Sequence, residues 1–234
     1  MKIAIMQPYL FPYLGYFQLI KAVDIFVFYD DVNYINRGWI NRNRILSNGK
    51  ELLFTLPLKE ASQNKLINEI NSDISEKWKT KFFKTLHLSY SKAPYFKEVY
   101  DLIKSCLDCS NGNISSIAIT SIINASNYLN LNTSFEVSSD KYADSKGLDR
   151  AHRLIEICKR NKVTTYINAI GGSDLYEKGY FNENKIELSF IKPKEINYKQ
   201  FKNDFVPWLS IIDVLMFNSV EQVNEMLDQY ELLL

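Results

Sequence analysis

The stretch from Met6 to Arg44, MQPYLFPYLGYFQLIKAVDIFVFYDDVNYINRGWINRNR, decides how the rest of the chain is read. An apolar run, Lys2 to Met6, leads into it and stops at Gln7-Pro8. A second apolar run, Asp24 to Tyr29, stops at Asp30-Asp31. Between them lie Pro8, Pro12 and Gly15, then an amphipathic piece from Tyr16 to Ala22. Strand, turn, short helix, strand is a βαβ unit and predicts parallel pairing. Both strands are almost wholly apolar, as expected when helices cover both faces of a sheet. Ligands of such sheets bind where the strands end at their carboxyl edge. Gln7, Tyr9, Asp30 and Asp31 fall on that edge, with Tyr16 close behind.

Just downstream come Arg37, Trp39, Arg42, Asn43 and Arg44. The arginine fork suits phosphate or carboxylate, and an aromatic ring suits stacking on a sugar or base. The plainer reading is a solvated hairpin strand of alternating polar residues. Three arginines beside two strand ends favour a phosphate-bearing ligand. Either aspartate is placed to take a proton, grip a sugar hydroxyl or hold a metal; each also makes a good turn former.

Asn48-Gly49 marks a hairpin between Arg44–Leu46 and Glu51–Pro57. Leu66 to Ile70 reads as a short edge strand. Helices follow after Ser72-Asp73, over about Phe96 to Leu107, and over about Ile114 to Leu129. Ser134–Val137 is a strand, Leu148–Arg160 a helix, Thr164–Ile167 and Ile186–Ile191 strands, and Val220–Tyr230 a closing helix. The pattern predicts an α/β fold, a Rossmann-like mainly parallel sheet with a helical insert. It forms one domain over residues 1–234, with the insert at about 72–131. Gly171-Gly172 stands between a strand and a short helix bearing Tyr176. It either brings backbone N–H groups to an anion or makes a tight turn. Asp213 lies in the apolar run Leu209–Phe217 and needs a partner there, in the core or in a site.

The 234 residues include 28 Lys plus Arg against 27 Asp plus Glu, which draws the chain to neither nucleic acid nor membrane. The 15 Tyr and 14 Phe are the unusual numbers, from ring-stacking surfaces or from an AT-rich genome. Cys106-x-x-Cys109 lies in a helix pattern with no second pair, so reduced thiols are expected rather than a redox or zinc site. His87 and His152, the only histidines, give little support to histidine chemistry. No HExxH, GxSxG or Walker loop is present. No metal is expected. With no signal peptide and no run of 18 apolar residues, the chain is expected to be cytoplasmic without a transmembrane segment.

Gln7-Pro8-Tyr9, Pro12-x-x-Gly15-Tyr16-Phe17, Ala22-x-Asp24-x-Phe26-Val27, Asp30-Asp31-Val32 and Arg37-Gly38-Trp39-x-Asn41-Arg42-Asn43-Arg44-Ile45 together resemble the WbqC-like family. Looser matches follow at Arg153-Leu154, Ile157-Cys158, Tyr166, Gly171, Tyr176 and Leu209 to Asp213. Tyr13 stands where the family often has tryptophan, and Tyr9 is one of several residues tolerated after Gln-Pro. Both bear on the size of the pocket. The family's members are encoded in bacterial surface-polysaccharide gene clusters and described as presumed glycine or aminoacyl transferases. The resemblance therefore implies an acyl or aminoacyl transfer, glycyl among the candidates, to the amine of a nucleotide-linked amino sugar in O-antigen or capsule synthesis. Asp30 or Asp31 would accept the proton. Arg37, Arg42 and Arg44 would hold the diphosphate, with Trp39 or Tyr9 against a ring and Asn43 steadying the oxyanion. No cofactor is required beyond an activated donor that the sequence does not identify. The other reading is a non-catalytic nucleotide-sugar-binding or assembly protein. DNA is not an expected partner; a homo-oligomer is allowed.

Overall fold

The computed structural model describes residues 1–108, 112–202 and 204–233; Cys109 lies outside them. The opening unit forms as its pattern dictates: β1 (Lys2–Met6), α1 (Leu14–Lys21) and β2 (Ile25–Phe28), with the strands paired in parallel. Alternate side chains feed opposite cores. Ala4, Phe26 and Phe28 face one side; Ile3, Ile5, Ile25 and Val27 face the other. Period-2 alternation with apolar residues at every position is what a sheet covered on both faces requires.

The hairpin β3 (Arg42–Ser47) and β4 (Lys50–Thr55) stands apart as its own two-stranded sheet. Its turn has positive φ at both Asn48 (51°) and Gly49 (72°), the conformation that asparagine and glycine tolerate best. Three helices follow: α2 (Glu76–Tyr90), α3 (Phe96–Asp108) and α4 (Ile114–Tyr128). The cap of α2 is Ser75, whose hydroxyl accepts from the Trp78 amide; Ser72 and Asp73 lie upstream of it.

The chain then returns to the sheet with β5 (Ser134–Val137), a short α5 (Ser138–Lys141), α6 (Arg150–Arg160), β6 (Thr165–Ala169), α7 (Lys178–Glu183) and β7 (Glu187–Pro193). It closes with α8 (Ile211–Phe217), α9 (Val220–Leu227) and β8 (Tyr230–Leu233). The main sheet runs β5-β2-β1-β6-β7-β8, with only β8 antiparallel. Strand order reverses between β1 and β6, the switch point outside which such sheets bind ligands.

Two expected elements differ. Leu66–Ile70 is not a strand: Ile67–Glu69 is a 3-10 turn, and only Leu66 bridges, to Asn33. Glu69 reaches back to accept from the Leu66 amide at 2.8 Å, which favours the turn. The closing helix ends at Leu227, and Tyr230 starts an edge strand instead. Gly171-Gly172 lie in a 3-10 turn, Ile170–Leu175, and Tyr176 is extended. Among the described residues no helix is long and apolar enough to cross a membrane.

Candidate functional site

The loop after β1 is held open by distant parts of the chain. Phe11 is buried at φ 42°, a conformation a bulky side chain rarely adopts. Its amide donates to Ser121 Oγ at 3.0 Å, and its carbonyl accepts from Asn43 Nδ2 at 2.8 Å and Ser210 Oγ at 2.7 Å. Asn43 Nδ2 also donates to the Leu10 carbonyl, and its Oδ1 accepts from the Arg44 amide. The side-chain amide of Asn43 is thus spent on the fold, which removes the oxyanion donor expected there.

What this bracing creates is a cavity of about 340 Å³ lined by Tyr9, Pro12, Tyr13, Trp39, Asn43, Arg44 and Trp208. Ligand pockets of a few hundred Å³ are usual. The Arg44 guanidinium lies 5.2 Å from the Trp39 ring centre. It donates to Glu51 at 2.8 Å and to the Trp208 carbonyl at 3.3 Å, while its Nε is buried with no hydrogen-bond partner. Burial raises the Tyr9 and Tyr13 hydroxyls above their ordinary range, Tyr9 further through Tyr13 beside it. Both stay protonated at neutral pH and can donate. Trp208 is 57% exposed, sits at φ 60°, and meets Tyr13 edge-on at 6.1 Å.

Tyr9, Trp39, Asn43 and Arg44 are thus brought together as expected from the sequence. Tyr16 lies behind Tyr9 at 5.6 Å, fully buried, its hydroxyl donating to the Gln7 carbonyl. Arg42 is not among the residues lining the cavity: its guanidinium lies 5.6 Å from the Trp39 ring centre and donates to the Gly38 carbonyl at 3.0 Å and to the Arg37 carbonyl. Arg37 is exposed in the loop, at φ 59°. Gly171, Gly172 and Tyr176 follow β6, outside the residues lining this cavity.

The two aspartates at the end of β2 are buried clamps. Asp30 accepts from Ser115 Oγ, Ser138 Oγ, the Ser139 amide and Ser139 Oγ, at 2.9–3.2 Å. It ties β2 to the starts of α4 and α5. Asp31 accepts from Ser138 Oγ and from Arg153 Nη2 at 2.5 Å, in an ion pair with both side chains 4% exposed. Arg153 Nε donates to Ser145 Oγ, and the guanidinium lies 4.8 Å from the Tyr29 ring centre. Carboxylates so buried meet a substrate proton only if the fold opens to them. Asp213 is likewise sealed, accepting from Tyr90 Oη (2.7 Å), Tyr198 Oη (2.6 Å) and Gln200 Nε2 (2.7 Å). It belongs to the core rather than to a ligand site.

Sequence reasoning tied Tyr13 to the pocket's size, which its place in the wall bears out, but missed Trp208 as a wall residue and Arg153 as the partner of Asp31. Trp208 carried one signal, a large aromatic in a polar loop after Pro207. Both histidines are exposed; His87 packs edge-on against Phe96 at 5.5 Å. Burial pushes the Cys158 thiol up to about 12, so it is an inert core group.

Comparison with known proteins gives a consistent picture. The model of the WbqC-like protein family matches residues 7–225. An uncharacterized protein of Mycobacterium tuberculosis is 31% identical over 221 residues, which is 93% of either chain. No solved structure matches significantly.

Proposed function

Because this chain belongs to the WbqC-like protein family, we propose that it is a sugar-modifying transferase of surface-polysaccharide synthesis. It would move an acyl or aminoacyl group to the amine of a nucleotide-linked amino sugar. The observation that carries this reading is the cavity where Tyr9, Tyr13, Trp39 and Trp208 surround Arg44. Aromatic faces take a sugar or base ring, and a guanidinium whose partner is the exposed Glu51 can exchange it for a phosphate oxygen. A neutral amine attacks an acyl carbon without help from histidine. The Tyr9 and Tyr13 hydroxyls, protonated at neutral pH, would be the donors to the oxyanion that forms, in the way such donors usually act.

One observation favours a second reading. Asp30 and Asp31 are buried and hold serine donors and Arg153, away from the residues that line the cavity. A nucleotide-sugar-binding protein without chemistry needs no carboxylate there. Product formation from a nucleotide amino sugar and candidate donors, followed by mass spectrometry, separates the two. Failure with every donor leaves the binding reading ahead.

The cavity's cation gives a sharper expectation. Arg44→Ala should weaken a nucleotide sugar about ten- to a hundredfold, the worth of a charge-assisted hydrogen bond. The free sugar should change little. Arg42→Ala should do less, because that guanidinium is already spent on backbone carbonyls. Tryptophan fluorescence is the measurement, since two of the three tryptophans, Trp39 and Trp208, line the cavity. Equal loss for both ligands would remove the phosphate role.

A further inference from the structure

A second cavity of about 400 Å³ adjoins the first, and Tyr13 and Trp208 wall both. We infer that this second cavity seats the acyl group of the donor, and that this group is larger and more apolar than glycyl. The inference rests on the transferase reading and adds to it the class of group transferred.

The lining supports an apolar occupant. Leu14, Ile196, Phe205, Leu209 and Val214 give it aliphatic and aromatic walls, with Pro193 and Pro207 beside them. The charged side chains on it, Lys194 and Glu195, are exposed and of opposite sign. A glycyl group has no apolar surface to fill such a space, and its ammonium would have to be stripped of water against these walls at a cost. The contrast with the neighbour is chemical: the first cavity offers a guanidinium, while the second is lined by aliphatic and aromatic side chains with Gln18, Asn197 and Tyr198 as its uncharged polar members. An amine held in the first would attack, at the boundary that Tyr13 and Trp208 share, the carbonyl of a thioester whose tail lies in the second; the new C–N bond replaces the C–S bond, and the thiol leaves with the proton the amine gives up.

The second cavity is also built rather than left over. Residues 194 to 209 include no regular helix or strand among those described, yet they supply much of its wall. Tyr198 and Gln200 fasten this segment to the buried Asp213, and the Val206 amide donates to Gln200 Oε1 at 2.7 Å. Gly15 completes the floor. A Cβ there would stand 2.4 Å from the Tyr13 ring and 2.9 Å from Pro193, so only glycine lets both close over α1. Trp208 is kept in a left-handed conformation at the partition, a conformation that costs free energy and persists only where the surroundings impose it.

The test uses the full chain and a graded series of N-acetylcysteamine thioesters: glycyl, acetyl, butyryl, hexanoyl and benzoyl. Affinity is read from tryptophan fluorescence. Burial of each added methylene should tighten binding about fourfold until the cavity is full. Ile196→Trp, which fills the cavity from its wall, should flatten that dependence while leaving nucleotide-sugar affinity unchanged. Glycyl and acetyl probes binding as tightly as hexanoyl or benzoyl would overturn the inference. So would a chain-length dependence that survives Ile196→Trp. Nucleotide-sugar titrations run alongside keep the two readings apart. Their failure overturns the transferase reading, whereas a flat acyl series overturns only this one.

Discussion

Arg153→Met should destabilise the fold by about 3–5 kcal/mol, the usual cost of leaving one member of a buried ion pair behind. The pair is Arg153–Asp31, with both side chains 4% exposed and 2.5 Å between the charged atoms. The guanidinium also donates to Ser145 Oγ and packs on Tyr29, so its loss strands several partners at once. Asp31→Asn alone should cost less, because the amide oxygen can still accept from Arg153 while the amide nitrogen donates to the Ser138 hydroxyl. The double change Arg153→Met with Asp31→Asn should recover part of the loss, since no buried charge remains unpaired. Urea unfolding of the four proteins measures the coupling. If the single and double changes simply add, the pair is not a unit, and the clamp between β2 and α6 is weaker than its geometry indicates.

Asp213→Ala should be comparably severe. It leaves the Tyr90 hydroxyl, the Tyr198 hydroxyl and the Gln200 amide without their acceptor in a fully buried place. At about 1–3 kcal/mol per stranded group, even partial rearrangement gives a loss on the order of 3 kcal/mol. A pH signature goes with it. Burial raises the Asp213 carboxyl above its ordinary 3.8, and the three donors only partly pull it back. A raised folded-state value means the folded protein holds that proton more tightly than the unfolded chain. The contribution is therefore fully present below about 3.8 and is lost as pH rises through the folded value. Asp213→Asn cannot ionise. The stability of the parent minus that of the Asn variant should fall as pH rises through that window, measured by unfolding at matched ionic strength. A difference independent of pH would mean that Asp213 ionises as readily in the fold as in water.

Much of the fold could be read from the chain because its signals are local. The opening strands show apolar residues at every position, Asn48-Gly49 has only one comfortable turn to make, and the helices after Glu76 keep helical spacing. The edge strand Tyr230–Leu233 could not be read, because its pairing with β7 is decided by a strand nearly forty residues upstream. The site divides in the same way. Tyr9, Trp39 and Arg44 all belong to the opening segment, whose motifs single it out, and meet in one cavity. Trp208 reaches that cavity from far away, and no periodicity announces it. Asp30 and Asp31 illustrate the opposite error. Two carboxylates at a strand end look alike whether they face substrate or serine hydroxyls, and the hydroxyls arrive from residues 115, 138 and 139.

The bracing of Phe11 bears on when in its life the protein can bind anything. Its amide and carbonyl are held by Ser121 and Ser210, 110 and 199 positions away. Contacts that remote close late, because the chain between them must first be ordered. The loop after β1 therefore acquires its shape only once the helical segment and the stretch around Ser210 have docked. A half-folded molecule would own every cavity residue of the opening segment and still have no cavity. Ligand binding then reports completed assembly, and a ligand added during refolding should leave the early steps untouched while shifting the final equilibrium by mass action.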